Sequence, residues 1–209
     1  MVRCVAAGAS LVRADGAPVV WAARLLRKAL PERVAGSDLT PAILRRASLG
    51  RRPGQMPRRP LRLFLLGAGP GVGERARKNI EQCWPGVNVT GVYSPPLGFE
   101  KSPEENRRIL AAVATAKPDL LIVGLGAPKQ ELWVRQYAEQ IDAKVALCVG
   151  ATIDFLAGER RRAPAWMQRS GLEWLHRLAS EPQRLASRDL RDALIFPRLV
   201  WQDWRSAGG

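Results

Sequence analysis

Cysteine and histidine are scarce in this chain: three and one, respectively, in 209 residues. Cys4, Cys83 and Cys148 stand far apart, with no CxxC pair and no Cys/His grouping. That argues against both a disulfide framework and a zinc site. Cys148, within "KVALCVG", reads as a small core residue, and the single His176 reads as structural or surface-lying. Long apolar runs are missing too, none nearing the ~20 residues that span a bilayer. The N-terminal "MVRCVAAGASLVRADG" lacks a cleavage region after its apolar residues, so we expect an unprocessed, cytoplasmic chain. Acids are outnumbered, 19 Asp and Glu against 33 Lys and Arg, for a formal charge of +14. No Asp-X-Asp pair, the usual holder of a metal-bound sugar nucleotide, occurs anywhere.

What is present is a core-forming composition. Apolar residues make up 46%, which excludes a disordered chain and is enough for one α/β domain with an added element. The positive charge calls for an anionic partner: nucleic acid, lipid headgroups or phosphorylated substrates. Composition does not choose among them, and a merely basic soluble protein fits as well.

The pattern along the chain is more specific. "APVVWAARLL" (17–26) has helical spacing after an Asp-Gly turn, and "GSDLTPAILRRA" predicts a second helix with Ser37 or Asp38 as N-cap. Residues 48–60, dense in Arg, Pro and Gly, predict a long loop. From Leu61 the reading alternates: strand "LRLFLLG", helix "GVGERARKNIEQCW", strand in "PGVNVTGVYS", helix "SPEENRRILAAVATA". Strand "PDLLIVGL", helix "PKQELWVRQYAEQI" and strand "AKVALCVG" follow. Ser102 as cap, Pro103 at the first helical position and Glu105 three residues after the cap mark one helix start. Such alternation implies a Rossmann-like parallel sheet with right-handed crossovers and helices on both faces. Ligands gather at the carboxyl ends of such strands. Residues 1–169 are expected to form this domain, and 170–209 a basic, Trp-containing helical appendage.

Two glycine loops fall at those strand ends. In "LLGAGPGVGE", Gly67, Gly69 and Gly73 follow a strand and open a helix, which suits any phosphate. A dinucleotide site would also want an acid at the end of the next strand; "VTGVYSPPLG" offers Tyr93 and Ser94 instead. In "LLIVGLGAPKQELWV", Gly124 and Gly126 allow close backbone approach, and Pro128 opens a helix that begins Lys129-Gln130-Glu131. Lys129 suits phosphate, Gln130 suits a sugar or uracil edge, and Glu131 reads as a helix cap. In "VGATIDFLAGERRRAP", Thr152 and Asp154 are polar where a ligand would lie, and capping explains Asp154 nearly as well.

Together "LFLLGAGPGVGERA", "PDLLIVGLGAPKQELWV", "VGATIDFLAGERRRAPAWMQRSGLEWLHRL" and "EPQRL" resemble the WecG/TagA/CpsF glycosyltransferase family. The likeness extends upstream through "PERVAGSDL" and "LVRADGAPVVWAARLL". It implies an inverting transfer of a hexose or N-acetylhexosamine, of the N-acetylmannosamine type, from a UDP-sugar to an undecaprenyl-diphosphate-linked saccharide in cell-surface polysaccharide synthesis. With no Asp-X-Asp pair in the chain, metal-independent transfer is expected, with Arg side chains and helix termini meeting the charge that Mg²⁺ meets elsewhere, and no cofactor is expected. Asp15 matches the family's proposed base, and Arg33 matches an arginine of the same pocket. Arg177 and Arg184 match the basic appendage that approaches the lipid diphosphate, whereas Ser187 stands where relatives have a basic residue. The implied partners are the UDP-sugar, the lipid-linked acceptor and the anionic inner face of the plasma membrane; a homo-oligomer is compatible, and nucleic acid is not implied. Relatives carry a further segment before the Asp-Gly pair, so the chain is expected to be N-terminally short. An NADP-dependent oxidoreductase, a charge-driven nucleic-acid binder and a truncated, non-catalytic family member stand as alternatives.

Overall fold

The structure is a computed structural model. It describes residues 9–12, 17–27, 30, 33–49, 59–160, 163, 164, 166, 167, 196, 198, 200–202 and 205. The chain divides into two compact units, Met1–Val12 with Gly36–Arg161 and Arg13–Ala35 with Arg162–Gly209.

The first unit is α/β. Its strands are β1 (Leu61–Gly67), β2 (Val87–Tyr93), β3 (Leu120–Gly124) and β4 (Val145–Cys148). They pair in the order β2-β1-β3-β4, all parallel. Helix α2 (Gly36–Leu49) precedes the sheet; α3 (Val72–Cys83), α4 (Pro103–Ala116) and α5 (Lys129–Gln136) cross between strands, and the short α6 (Thr152–Leu156) follows β4. The Rossmann-like architecture expected from the alternating pattern is therefore present.

The two central strands read as nearly unbroken hydrophobic runs because both of their faces are covered. Leu63 and Leu65 of β1 and Ile122 of β3 join Leu44, Ala76, Ile80 and Ile153 in one buried layer, under α2, α3 and α6. Phe64 and Leu66, with Leu121 and Val123, join Ile109, Val113 and Trp133 in the other, under α4 and α5. The two-residue period of a strand makes this split unavoidable. Helix α4 starts as its sequence predicts: Ser102 Oγ accepts the Glu105 backbone N–H at 3.2 Å, and Pro103 takes the first position. Helix α2 departs from expectation. It begins at Gly36, so Ser37 lies inside the helix, buried, rather than capping it. Helix α5 is shorter than its sequence suggested and stops at Gln136; the next residue, Tyr137, still donates its N–H to the Trp133 carbonyl and lies tilted against the Trp133 ring, with centroids 5.4 Å apart. Of the loop expected over 48–60, Ser48 and Leu49 end α2, and 50–58 lie outside the described residues.

At the amino edge of the sheet, Asp119 gathers three donors just ahead of β3. Its Oδ2 accepts the Arg62 backbone N–H at 3.1 Å, while Oδ1 meets Arg59 at 2.6 Å and Lys144 Nζ at 2.9 Å. One carboxylate thus fastens the entrances to β1, β3 and β4. Burial pushes the carboxyl upward, but the Lys144, Arg62 and Arg59 hydrogen bonds outweigh it and bring the pKa from 3.8 down to about 2.

In the second unit, α1 (Ala17–Leu25) matches the helix expected at 17–26, with Val20 buried and Trp21 and Leu25 exposed. Near the C-terminus the described residues from 196 onward are helical, and the Arg205 guanidinium lies 3.7 Å from the centre of the Trp201 ring. No helix among the described residues is long and apolar enough to cross a membrane.

Candidate functional site

The carboxyl ends of β1, β3 and β4 form a rim made of three turns. The first runs from Gly67 to Gly71, into α3. Gly67 has φ of +113° and pairs with Gly124 across the β1–β3 ladder. A Cβ on Gly67 would lie 2.5 Å from the Gly124 carbonyl oxygen, so the two strand ends touch only because no side chain intervenes. Gly73, the second residue of α3, has its missing Cβ's place taken by the Val92 side chain of β2. Gly69 is exposed, with only Val72 near. Much of the glycine pattern that invites a phosphate reading is thereby accounted for by strand and helix packing.

The second turn joins β3 to α5. A Cβ on Gly124 would sit 2.8 Å from the Gly150 carbonyl oxygen and 2.9 Å from Ile153 Cδ1. Gly126 differs: its φ is +83°, and nothing lies within 4 Å of where a Cβ would point. The Ala127–Pro128 bond is cis, and α5 then begins at Lys129. Lys129 Nζ is 3.3 Å from Glu100 Oε2 and 5.7 Å from the centre of the Phe99 ring. The Glu100 carboxyl is lowered in turn, first by its own backbone N–H and then, against some burial, by Lys129.

Gln130 is 4% exposed, and both ends of its amide are engaged. Its Oε1 accepts the Gly150 N–H at 3.1 Å, and its Nε2 donates to Glu131 Oε1 at 2.7 Å. The residue expected to read a ligand edge thus ties the turn after β3 to the turn after β4. Glu131, which the sequence marks only as a cap, carries an unusual atom: Oε2 is fully buried and has no hydrogen-bond partner. The hint in the sequence was the run of three polar residues at the helix start, one more than a cap needs.

The third turn, Val149 to Ala151, leads into α6. Thr152 is buried, and its Oγ1 donates to the Val149 carbonyl at 2.7 Å, closing the turn locally. Asp154 Oδ2 is 3.2 Å from Arg160 Nε. On the far side of the rim, Tyr93 Oη donates to Glu105 Oε1 at 2.8 Å, and Ser94 Oγ donates to the Gly67 carbonyl at 3.3 Å. The hydrogen bond to the Glu105 carboxylate, aided by burial, raises the Tyr93 pKa. The end of β2 is therefore a closed polar pair.

The structure thus brings Gly67, Gly69, Gly124, Gly126, Lys129, Gln130, Thr152 and Asp154 to one edge of the first unit. Arg33 belongs to the second unit and is partly buried there. Asp15, Arg177 and Arg184 lie outside the described residues.

A parallel sheet with glycine turns and helix starts along its carboxyl edge defines a Rossmann-like domain. Comparison with known proteins narrows the class. A model of the glycosyl transferase WecG/TagA/CpsF family matches residues 2–208, and the chain belongs to that family. One relative, the N-acetylglucosaminyldiphosphoundecaprenol N-acetyl-beta-D-mannosaminyltransferase of Bacillus spizizenii, is 31% identical over 198 residues, 95% of this chain and 69% of the relative. A protein of the same name from Staphylococcus aureus is 30% identical over 177 residues, 85% of this chain and 64% of its own length.

Proposed function

We propose that the protein transfers an N-acetylmannosamine-type sugar from a UDP-sugar to an undecaprenyl-diphosphate-linked N-acetylglucosamine, with inversion. The observation that carries this reading is the family match across residues 2–208, joined to the activity in the names of both relatives.

The chemistry is a single displacement. The acceptor hydroxyl oxygen forms a bond to the anomeric carbon while the bond from that carbon to the UDP oxygen breaks. The hydroxyl proton passes to the Asp15 carboxylate, and UDP leaves with the electron pair. A sugar hydroxyl attacks poorly until that proton is taken, which is why one well-placed carboxylate is needed. Arg33 is assigned to the diphosphate, where a guanidinium binds bidentately and meets the charge growing on the leaving group. At the rim, the exposed turn at Gly69 and the open one at Gly126 are assigned to the nucleotide, with Lys129 nearby. Gln130, Thr152 and Asp154 shape this rim, Gln130 by holding two of its turns together. No metal and no cofactor is required by this scheme.

Arg177 and Arg184 are assigned to the acceptor's diphosphate. The Arg- and Trp-rich segment 170–209 is assigned to the anionic inner face of the membrane, where rings seat at the boundary and guanidiniums meet headgroups. The protein is accordingly placed in the cytoplasm, bound peripherally.

The test is a panel of UDP-sugars with a lipid-diphosphate N-acetylglucosamine acceptor, read by product mass. Transfer from UDP-N-acetylmannosamine is the expected result; stabilisation by NADPH and not by UDP would overturn the reading. UDP binding without transfer from any donor would favour a non-catalytic family member. Asp15→Asn should abolish transfer and leave UDP binding largely intact, and an unchanged turnover removes Asp15 from the mechanism.

A further inference from the structure

A turn that projects a leucine into water gains nothing from it unless something covers the side chain. The connection from β2 to α4 carries such a turn. Residues 96–99 are closed by the Phe99 N–H on the Pro96 carbonyl at 3.2 Å, and Gly98 takes the third position with φ +81° and ψ 5°, as a type II turn requires. Leu97 holds the second position and is 101% exposed, more than any other large apolar side chain among the described residues. Its mount is braced on both sides. Ahead of it, Ser94 Oγ donates to the Gly67 carbonyl, and Pro95 and Pro96 restrict the backbone. Behind it, Phe99 is buried and its carbonyl accepts Asn106 Nδ2 at 3.0 Å; Asn106 Oδ1 in turn accepts Trp133 Nε1 at 2.7 Å. The chain thus holds up a bare leucine where proline or a polar residue would serve the turn equally.

We propose that the turn at Leu97 is a membrane contact of its own, separate in sequence from segment 170–209, and that its leucine seats in the interface of an anionic bilayer. Location is the first reason. The turn follows the carboxyl end of β2, on the edge of the sheet where the rim lies. The inference rests on the proposed lipid-linked acceptor: its reacting sugar stands one diphosphate from the bilayer, so this edge must come close to the membrane surface. Charge is the second reason. Glu100 is matched by Lys129 at 3.3 Å and Glu104 by Arg108, while Lys101 is exposed, so the acids flanking the turn are neutralised toward anionic headgroups. Size is the third. One leucine beside Pro96 falls far short of the ~1,200 Å² that a stable protein interface buries, whereas a single inserted side chain adds usefully to a basic peripheral attachment. A braced turn also gives up little conformational freedom on insertion.

The test compares the full chain with its Leu97→Ser, Leu97→Trp and Val145→Ser variants in co-sedimentation with vesicles of phosphatidylethanolamine and phosphatidylglycerol in equal parts. Leu97→Ser should bind the vesicles about tenfold more weakly, the lower end of what burying one leucine contributes. Leu97→Trp should bind at least as tightly as the wild type, since an indole suits the interface. Val145 is 53% exposed at the amino end of β4, the opposite edge of the sheet, and Val145→Ser should bind as the wild type does. Because Leu97 is fully exposed, Leu97→Ser should unfold at the wild-type temperature and bind UDP unchanged. Leu97→Ser that binds vesicles as the wild type does overturns the assignment alone; a raised KM for the lipid-linked acceptor would then hand Leu97 to the acceptor's isoprenoid chain. An equal weakening by Val145→Ser overturns it too. A change of oligomeric state in lipid-free gel filtration of Leu97→Ser would assign the turn to a second copy of the chain instead. A wild type that leaves the vesicles unbound overturns the peripheral placement and this assignment with it.

Discussion

The turn after β1 and the turn after β3 look alike in sequence, two glycines following a buried strand, and within each the structure packs the first glycine, Gly67 or Gly124, and leaves the second, Gly69 or Gly126, open. At Gly67 and Gly73 the missing side chains make room for protein: the Gly124 carbonyl in one case, Val92 in the other. At Gly126 the missing side chain makes room for nothing in the chain. The first pair closes the fold, and Gly126 leaves the rim open. A glycine pattern thus reports that a Cβ is disfavoured, and only the surroundings say whether packing or a left-handed backbone disfavours it.

The sharpest way to break this contrast is Gly67→Ala. A Cβ would collide with backbone that cannot swing aside, at a φ of +113°, so we expect a loss of about 3 kcal/mol or more in denaturant unfolding. Gln130→Met comes next. It keeps the volume but leaves the Gly150 N–H and the Glu131 carboxylate without their partner, and a loss of about 2 kcal/mol should appear in the same measurement.

Asp119→Asn tests the opposite edge of the sheet, with an expected loss near neutral pH of about 1–2 kcal/mol. The carboxyl's folded pKa, about 2, lies below its ordinary 3.8. Its contribution is therefore complete above roughly pH 4 and fades as pH falls toward 2. In the variant, acid unfolding should be correspondingly shallower across that window, and an unchanged profile would remove Asp119 as the fastening. The smallest effect belongs to Gly126→Ala. With no atom in the way, only the left-handed backbone resists, at about 1 kcal/mol, while UDP affinity should fall by more than that stability change suggests. If Gly126→Ala proves as damaging to folding as Gly67→Ala, the distinction between packed and open glycines is lost.

The sequence made the sheet legible because its signals are local. A two-residue hydrophobic period places Leu63 and Phe64 on opposite faces, and Ser102-Pro103 with Glu105 marks a helix start that the backbone then adopts. The rim was legible as a location, since strand ends in a parallel sheet share one side. The partners of its side chains were not. Gln130 meets a backbone N–H 20 residues away, and Lys129 meets Glu100 across a whole helix, a strand and their loops. Such pairings are decided by how strands stack, which no window of residues records. Ser37 fails for a related reason: a good capping residue is equally at home one position inside a helix when burial holds it there.

The tie between Gln130 and Gly150 has a consequence for how this region can diverge. It spans two connections whose lengths must agree to within one amide group, with the Gly126 turn on one side and the start of α6 on the other. Adding or deleting a single residue between Gly124 and Lys129 would rotate Gln130 by about 100° around α5 and carry its amide out of reach. New specificities here are open to exchange of one side chain for another, whereas insertions must fall in other connections, such as that between β2 and α4.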